Sequence, residues 1–248
     1  MRKIIGVAAI LVGGLITING APRITANRPC IQAAQLDLAP YYVAFLRRGP
    51  QWTPQVTPET TRIQAEHLAN IKKLAEAGAL VAAGPFLDDG ELRGIFIFKV
   101  DSLDQAKSLT QSDPAVKAGR LALEIRRWLG PKGIGERYAA EKKKNPEAPD
   151  QMGTYQLALF KKSPKAGNAP PSQSAIGEHL ANIKKLEDTG KLRAAGPFAD
   201  QGELGGMFVF ETGSLEEARL LAESDPLVKA GVLGVELHPW MSAKGVLP

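Results

Sequence analysis

The sequence predicts an α+β fold made of two tandem ferredoxin-like βαββαβ units, and two observations lead to this prediction. The nine residues from Glu66 to Leu74 recur letter for letter from Glu178 to Leu186. The copies then align without a gap as far as Gly133 and Gly245, and more than half of the aligned positions are identical, which indicates a tandem duplication. Within each copy, hydrophobic patterns of strand and helix period follow one another in the same order.

The elements of each copy are predicted from local signals. In the first copy we expect a strand at 41–47, a helix from Pro58 to Gly78, strands at 79–86 and 94–100, a helix capped by Ser102 and a strand at 120–128. Thr57 before Pro58 is typical of a helix start, and Gly78 is typical of a helix end. The second copy repeats this order, with strands at 155–161, 191–198, 206–211 and 232–240 and with Ser214 as the matching cap.

This order leaves one face of each sheet without helices, and we expect the two bare faces to pack on each other within one chain. Phe96 and Phe98, with Phe208 and Phe210 in the second copy, are expected to lie on those faces. The predicted divisions are a signal peptide at 1–26, a first repeat at 40–133, a linker at 134–153 with one short helix, and a second repeat at 154–245.

The N-terminal composition predicts export. A basic start, Arg2 and Lys3, precedes an apolar run at 4–18, which is typical of a secretory signal and is shorter than the roughly 20 residues of a membrane span. We therefore expect an extracytoplasmic protein without stable membrane insertion after the signal is removed, with an uncleaved N-terminal anchor as the alternative. Cys30 is the only cysteine, so no internal disulfide forms. The net charge of +5 comes partly from Arg2 and Lys3 and partly from the lysine run at 142–144 between the copies, and the copies show no clustered basic face for nucleic acid.

A string of motifs present in both copies resembles the YciI-like (YCII-related) family. The motifs are His-Leu, Gly-x-Leu, Gly-Pro-Phe-x-Asp-x-Gly, Ser-Leu-x-x-Ala, Asp-Pro-x-Val-x-Ala-Gly and a final Trp. The resemblance implies a dimeric α+β barrel, formed here by the two halves of one chain as a pseudo-dimer, with further oligomers possible. It also implies small-molecule enzymes with a His-Asp pair, among them a dehydrochlorinase of chlorinated hydroquinones. By this resemblance the pairs are His67 with Asp88 and His179 with Asp200.

His67 is also the best candidate on physical grounds, because it is centred on an otherwise apolar helix arc that repeats at His179. The alternative is a core histidine satisfied by a backbone carbonyl. Asp88 and Asp200 could equally be turn residues, and Asp113 and Asp225 are expected to form turns because Asp-Pro favours them.

Three functions remain open from the sequence. The first is a lyase or isomerase that abstracts a proton from a small molecule without cofactor or metal, with His67 and His179 as bases and Asp88 and Asp200 orienting them. The second is a non-catalytic module that binds a small-molecule ligand, and the third is an exported structural protein. Because copy two keeps Pro239 where copy one has Arg127, we expect unequal sites, with the second more active.

Overall fold

The computed structural model describes residues 37–166, 171–200 and 202–248, so the predicted signal peptide at 1–26 lies outside the described residues. The first copy contains β1 (Leu38–Arg48), α1 (Pro58–Glu76), β2 (Leu80–Pro85), β3 (Leu92–Phe98), α2 (Leu103–Gln111), α3 (Pro114–Lys117) and β4 (Leu121–Pro131). A connecting helix α4 (Glu136–Lys144) follows, and the second copy contains β5 (Met152–Lys162), α5 (Gln173–Asp188), β6 (Leu192–Pro197), β7 (Leu204–Phe210), α6 (Leu215–Glu223), α7 (Pro226–Lys229) and β8 (Leu233–Ala243).

Every described α-helix except α4 begins where a side chain can satisfy its free backbone amides. Thr57 caps α1 by accepting a hydrogen bond from the amide of Thr60, whose hydroxyl in turn contacts the amide of Thr57. Ser102 and Ser214 cap α2 and α6 as predicted. The short helices α3 and α7 were not predicted, and Asp113 and Asp225 are their N-caps.

The eight strands form two antiparallel sheets of four, with the orders β2-β3-β1-β4 and β6-β7-β5-β8. The edge strand β2 lies beside β8 of the other copy, and β6 lies beside β4. Backbone bridges join Phe86 to Trp240 and Trp128 to Phe198 at these seams. The two sheets therefore close into one α+β barrel within the chain, as the sequence analysis predicted.

The core between the sheets is apolar and draws on both copies, with Phe45 and Phe198 rings 5.9 Å apart. The face assigned to the phenylalanine rows was wrong. Phe96 and Phe98 pack with Leu74 and Ala106 under the helices, and Phe208 and Phe210 do the same in the second copy. The inter-sheet face of these strands carries Ile95, Ile97, Met207 and Val209 instead.

The physical reason is that β3 and β7 are buried on both faces. Such strands have continuous apolar runs. The alternation of apolar and polar residues therefore does not distinguish the face that packs under the helices from the face that packs on the other sheet. None of the helices among the described residues combines the length and hydropathy that crossing a bilayer requires.

Candidate functional site

His67 lies on the buried side of α1, and its partner is the carboxylate of Asp113. Nδ1 of His67 is 2.9 Å from both oxygens of Asp113. The His67 ring stacks on Phe96 with 5.8 Å between centroids and 22° between planes, which fixes the ring plane. The core-histidine alternative expected a backbone carbonyl here, and the structure instead supplies a fully buried acid.

Asp113 is held in place by the start of α3, which packs against α1. Its Oδ1 accepts a hydrogen bond from the amide of Ala115 at 2.9 Å, and its Oδ2 accepts one from Nδ2 of Asn70 at 3.0 Å. Because an ionised carboxylate only accepts, Nδ1 of His67 must donate to it. The other ring nitrogen, Nε2, has no hydrogen-bond partner within residues 37–166, 171–200 and 202–248 and is not a buried atom. It therefore carries a free lone pair whenever the ring is neutral.

The second copy repeats this arrangement less completely. Nδ1 of His179 lies 2.7 Å from Oδ2 of Asp225, and the amide of Leu227 donates to Oδ1 at 2.9 Å. Asn182 occupies the position of Asn70, but its Nδ2 is buried without a partner in the described part of the chain. The second carboxylate thus has one donor fewer than the first.

The predicted pairing of His67 with Asp88, and of His179 with Asp200, is wrong. Nδ1 of His238 lies 2.6 Å from Oδ2 of Asp88, and Nε of Arg126 lies 2.6 Å from Oδ2 of Asp200. The cause is topological, because β2 and β6 are edge strands that lead to the seam with the other copy and away from their own first helix.

The sequence carried two signals that point to the observed partners. Asp113 and Asp225 stand in an Asp-Pro motif that both copies keep, and a capping aspartate has a second oxygen free for another donor. Each aspartate can therefore cap its short helix and hold a histidine at the same time. The second signal is the charged pair at alternate positions of the last strands, Glu124 with Arg126 and Glu236 with His238.

These last-strand charges join the two copies. In one half, Nη1 of Arg126 donates a hydrogen bond to Glu124 at 3.1 Å, and Arg126 also forms an ion pair with Asp200. In the other, Nε2 of His238 lies 3.0 Å from Glu236, whose remaining charge contact is with Lys161. Burial raises the pKa of Glu236, but Lys161 and His238 outweigh it and hold that pKa below its ordinary value. Arg126 and His238 thus occupy equivalent positions at the seams of the barrel, each between two carboxylates.

A cavity of about 540 Å³ opens beside His67. Its walls are mostly aliphatic and come from α1, β2 and the end of β8, with Leu68, Ile71, Val81 and Met241 among them. Its polar lining includes Gln64, Arg93, Asp150 and Ser242. The volume and the apolar walls are typical of small-molecule sites.

The corresponding region of the second copy is chemically different. Glu187 stands where the first copy has Ala75, and Arg193 stands where it has Val81. Burial raises the pKa of Glu187, which is the expected response of a carboxyl in partly apolar surroundings. Two charged side chains in place of two apolar wall residues make this region unsuited to the same ligand.

We expect the stability of the fold to depend on the ionisation of Asp113. Burial raises the pKa of Asp113, but hydrogen bonds and charge from His67, with donors from Asn70 and Ala115, outweigh burial and hold that pKa below its ordinary value. A carboxyl with a lower pKa in the folded chain stabilises the fold above its unfolded pKa, and the stabilisation is lost as pH falls through the folded pKa.

Asp113→Asn should therefore lower the free energy of unfolding by about 1–3 kcal/mol at pH 7, because it removes hydrogen bonds to a charged group. The difference from the unsubstituted protein should shrink as the pH falls below about 4. Urea unfolding at several pH values measures this difference in the free energy of unfolding, and Asp101→Asn at an exposed position is the control. An equal difference at pH 7 and at pH 3 would contradict this account.

Among the described residues no cluster of three or more His, Cys, Asp or Glu is arranged to hold a metal ion. The contacts of His67 and Asp113 give an oriented imidazole at the wall of a mostly apolar cavity. Such an arrangement can accept a proton from a bound molecule, or donate a hydrogen bond to it.

Comparisons with known proteins agree with the fold. Chlorite dismutase of Candidatus Nitrospira defluvii, in a single-residue variant, aligns with a TM-score of 0.52 at 12% identity over 83% of this chain and 92% of that chain. Another variant of that enzyme, solved in complex with cyanide, gives 0.52 at 14% identity over 83% and 91%. At these identities the likeness shows the α+β barrel fold alone.

The family is shown by sequence. The uncharacterized protein YjpA of Bacillus subtilis (strain 168) is 33% identical over 73 residues, which are 29% of this chain and 84% of that protein. The model of the YCII-related domain matches twice, at residues 42–129 and 155–241. The chain therefore belongs to the YCII-related domain family and carries two copies of that domain in tandem.

Proposed function

We propose that the protein is a cofactor-free lyase or isomerase that abstracts a proton from a small organic substrate, with His67 as the base. The observation that carries this proposal is the His67 ring, held at Nδ1 by a buried carboxylate at the wall of a 540 Å³ cavity. A purely structural histidine would not need an acid, a second donor on that acid and an adjacent cavity. Asp113 is a positioning residue, because it acts through the ring.

The chemistry follows from the tautomer that Asp113 imposes. With the proton on Nδ1, the lone pair of Nε2 takes a proton from a carbon of the substrate, and the electron pair of that C–H bond forms a new C=C bond. In a lyase, a group on the neighbouring atom leaves with its bonding electrons. In an isomerase, a π bond adjacent to the new C=C bond breaks, and its electron pair takes the proton of the imidazolium at another carbon of the same molecule. The ionised Asp113 stabilises the imidazolium between these events.

We assign the main site to the first copy, which reverses the ranking expected from the sequence. That ranking stays untested, and the apolar walls beside His67 favour the first copy over the second. The ranking relied on Pro239 in the second copy standing where the first has Arg127, and the two residues play the same backbone role at the seam. The carbonyls of Pro239 and Arg127 accept the same seam hydrogen bond, from Leu87 and Ala199 respectively, and a proline keeps its carbonyl.

A ligand screen tests the proposal. Thermal unfolding with aromatic acids, hydroquinones and lactones identifies compounds that bind, and NMR then follows whether bound compounds are converted. We expect at least one ligand to raise the unfolding temperature and to be isomerised or to lose a leaving group. Ligands that bind but never react would favour the alternative of a non-catalytic binding module.

We also propose that the protein works outside the cytoplasm, on the basis of the basic start and apolar run within residues 1–26. Fractionation of the native host with an antibody tests this location. The expected result is a shortened chain in the extracytoplasmic fraction. A full-length soluble chain in the cytoplasm would contradict the proposal.

A further inference from the structure

We propose that the cavity beside His67 binds the carboxylate of an organic acid through Arg93, supported by the charge of the two other arginines that surround Trp52. This inference rests on the proposed function and names the substrate class of the same site. Arg93 and Trp52 both line the cavity. The substrate would thus be an acid with an apolar body, because the remaining walls are mostly aliphatic.

Three guanidinium groups lie around one ring. The guanidinium carbons of Arg93, Arg120 and Arg48 lie 5.1, 5.4 and 5.6 Å from the centroid of Trp52. Cation–π contact holds arginine side chains in fixed positions without neutralising their charge. The ring therefore keeps positive charge concentrated around Trp52, and Arg93 brings part of that charge to the cavity wall.

The acids that face these arginines neutralise them incompletely. Asp89 lies 2.6 Å from Arg48 and 3.6 Å from Arg93, and Glu91 lies 3.6 Å from Arg48. Both acids are largely exposed, at 94% and 73% of their side-chain surface, so the ion pairs are weak. Arg120 donates to the carbonyl of Thr53 and pairs with no acid in the described part of the chain. Three positive charges thus face two exposed negative ones.

Arg93 itself is fixed and only partly used. Its Nη1 donates to the carbonyls of Asp88 at 3.0 Å and Gly90 at 3.3 Å, which anchors the group to the β2–β3 hairpin. No hydrogen bond from its Nε or Nη2 is found among the described residues. A planar guanidinium with free donors is suited to a carboxylate, which it can bind through two parallel hydrogen bonds.

The second copy provides an internal comparison. Gly205 takes the position of Arg93, Lys162 that of Arg48 and Val232 that of Arg120. The hairpin of the second copy nevertheless keeps the register of the first, with Pro197 opposite Gly206 as Pro85 is opposite Gly94. The fold therefore does not need Arg93, and the arginine cluster is an addition specific to the first copy, where the cavity beside His67 lies.

Isothermal titration calorimetry with matched probes tests the carboxylate site. The probes are 3-phenylpropanoate and its uncharged counterpart 3-phenylpropanamide, and the proteins are the unsubstituted chain, Arg93→Gln, Arg120→Gln and the control Arg62→Gln on the exposed side of α1. We expect the unsubstituted protein and Arg62→Gln to bind the acid about 10- to 100-fold more tightly than the amide. Arg93→Gln should remove most of that preference and leave amide binding unchanged, and Arg120→Gln should reduce it in part.

Equal affinity for acid and amide in the unsubstituted protein, no binding of the acid at millimolar concentration, or a preference that survives in Arg93→Gln would overturn the inference. The result is separable from the proposed function. His67→Gln should keep the preference for the acid while losing turnover. Turnover that depends on His67 without any preference for acids would reject the carboxylate site and leave the base in place.

Discussion

Replacing His67 by Ala or by Gln should lower turnover by about 10²- to 10⁴-fold, the usual contribution of a positioned general base. The loss should appear in kcat, because neither residue offers an imidazole lone pair at the position of Nε2. His67→Ala leaves the buried Asp113 with one donor fewer, which lowers stability. Because Gln can still donate a hydrogen bond to Asp113, His67→Gln should lose less stability than His67→Ala. We expect the free energy of unfolding of either variant to fall by less than about 3 kcal/mol.

The matched control for this result is the second copy. His179→Ala and His179→Gln remove the equivalent ring and its 2.7 Å contact with Asp225. If the first copy holds the main site, these variants should reduce turnover by less than about tenfold. Equal losses from the His67 and His179 variants would contradict the assignment. A loss of stability above 3 kcal/mol in both His67 variants would show that His67 is a core histidine.

Asp113→Asn separates positioning from packing in the same assay. Asparagine keeps an oxygen that can cap α3 at the amide of Ala115, but its amide nitrogen can donate to Nδ1 and so favour the wrong tautomer. In a Ser-His-Asp triad the same exchange costs about 10⁴-fold. We expect a loss of about 10²-fold or more here, with KM nearly unchanged.

Gly84→Ala should cost about 3 kcal/mol of stability or more, because β2 passes so close to β8 that no side chain fits. A Cβ at Gly84 would lie 1.8 Å from the carbonyl oxygen of Met241 and 3.0 Å from Nε1 of Trp240. The carbonyl of Gly84 also accepts a hydrogen bond from that indole nitrogen at 3.1 Å. Relieving the clash requires the two copies to separate at this seam.

Gly196→Ala is the symmetric variant, since its Cβ would lie 1.8 Å from the carbonyl oxygen of Leu129. Gly177→Ala is the control, because a Cβ on this residue of α5 meets nothing within 4 Å. Alanine at this helical position should stabilise the protein by about 0.5–1 kcal/mol. Urea unfolding of the three variants gives the comparison. If Gly84→Ala is as stable as the unsubstituted chain, the copies do not pack along this seam.

The fold could be predicted from the sequence because a tandem repeat and local patterns constrain it strongly. The caps at Thr57, Ser102 and Ser214 set the helix starts, and unpaired apolar sheet faces required the copies to pack together. The face presented by Phe96 and Phe98 could not be predicted, because both faces of β3 are buried and the order of layers depends on contacts distant in sequence.

The histidine of the candidate site could be predicted from the sequence, but its acidic partner could not. His67 was identified by its place in an apolar arc, which is local information. Its partner was not, because the choice between Asp88 and Asp113 depends on whether the chain returns toward α1 or toward the other copy. The arginines around Trp52 were missed for the same reason, since they come from β1, β3 and the residue before β4, which are far apart in sequence.

Incorporation of solvent deuterium into the ligands identified by the screen tests the central claim most directly. A base that removes a carbon-bound proton exchanges it with D₂O, and NMR detects the exchange even where no net conversion occurs. The account predicts exchange with the unsubstituted protein and with His179→Gln, and none with His67→Gln. Exchange that persists in His67→Gln, or that no cavity-binding ligand undergoes with the unsubstituted protein, would contradict it.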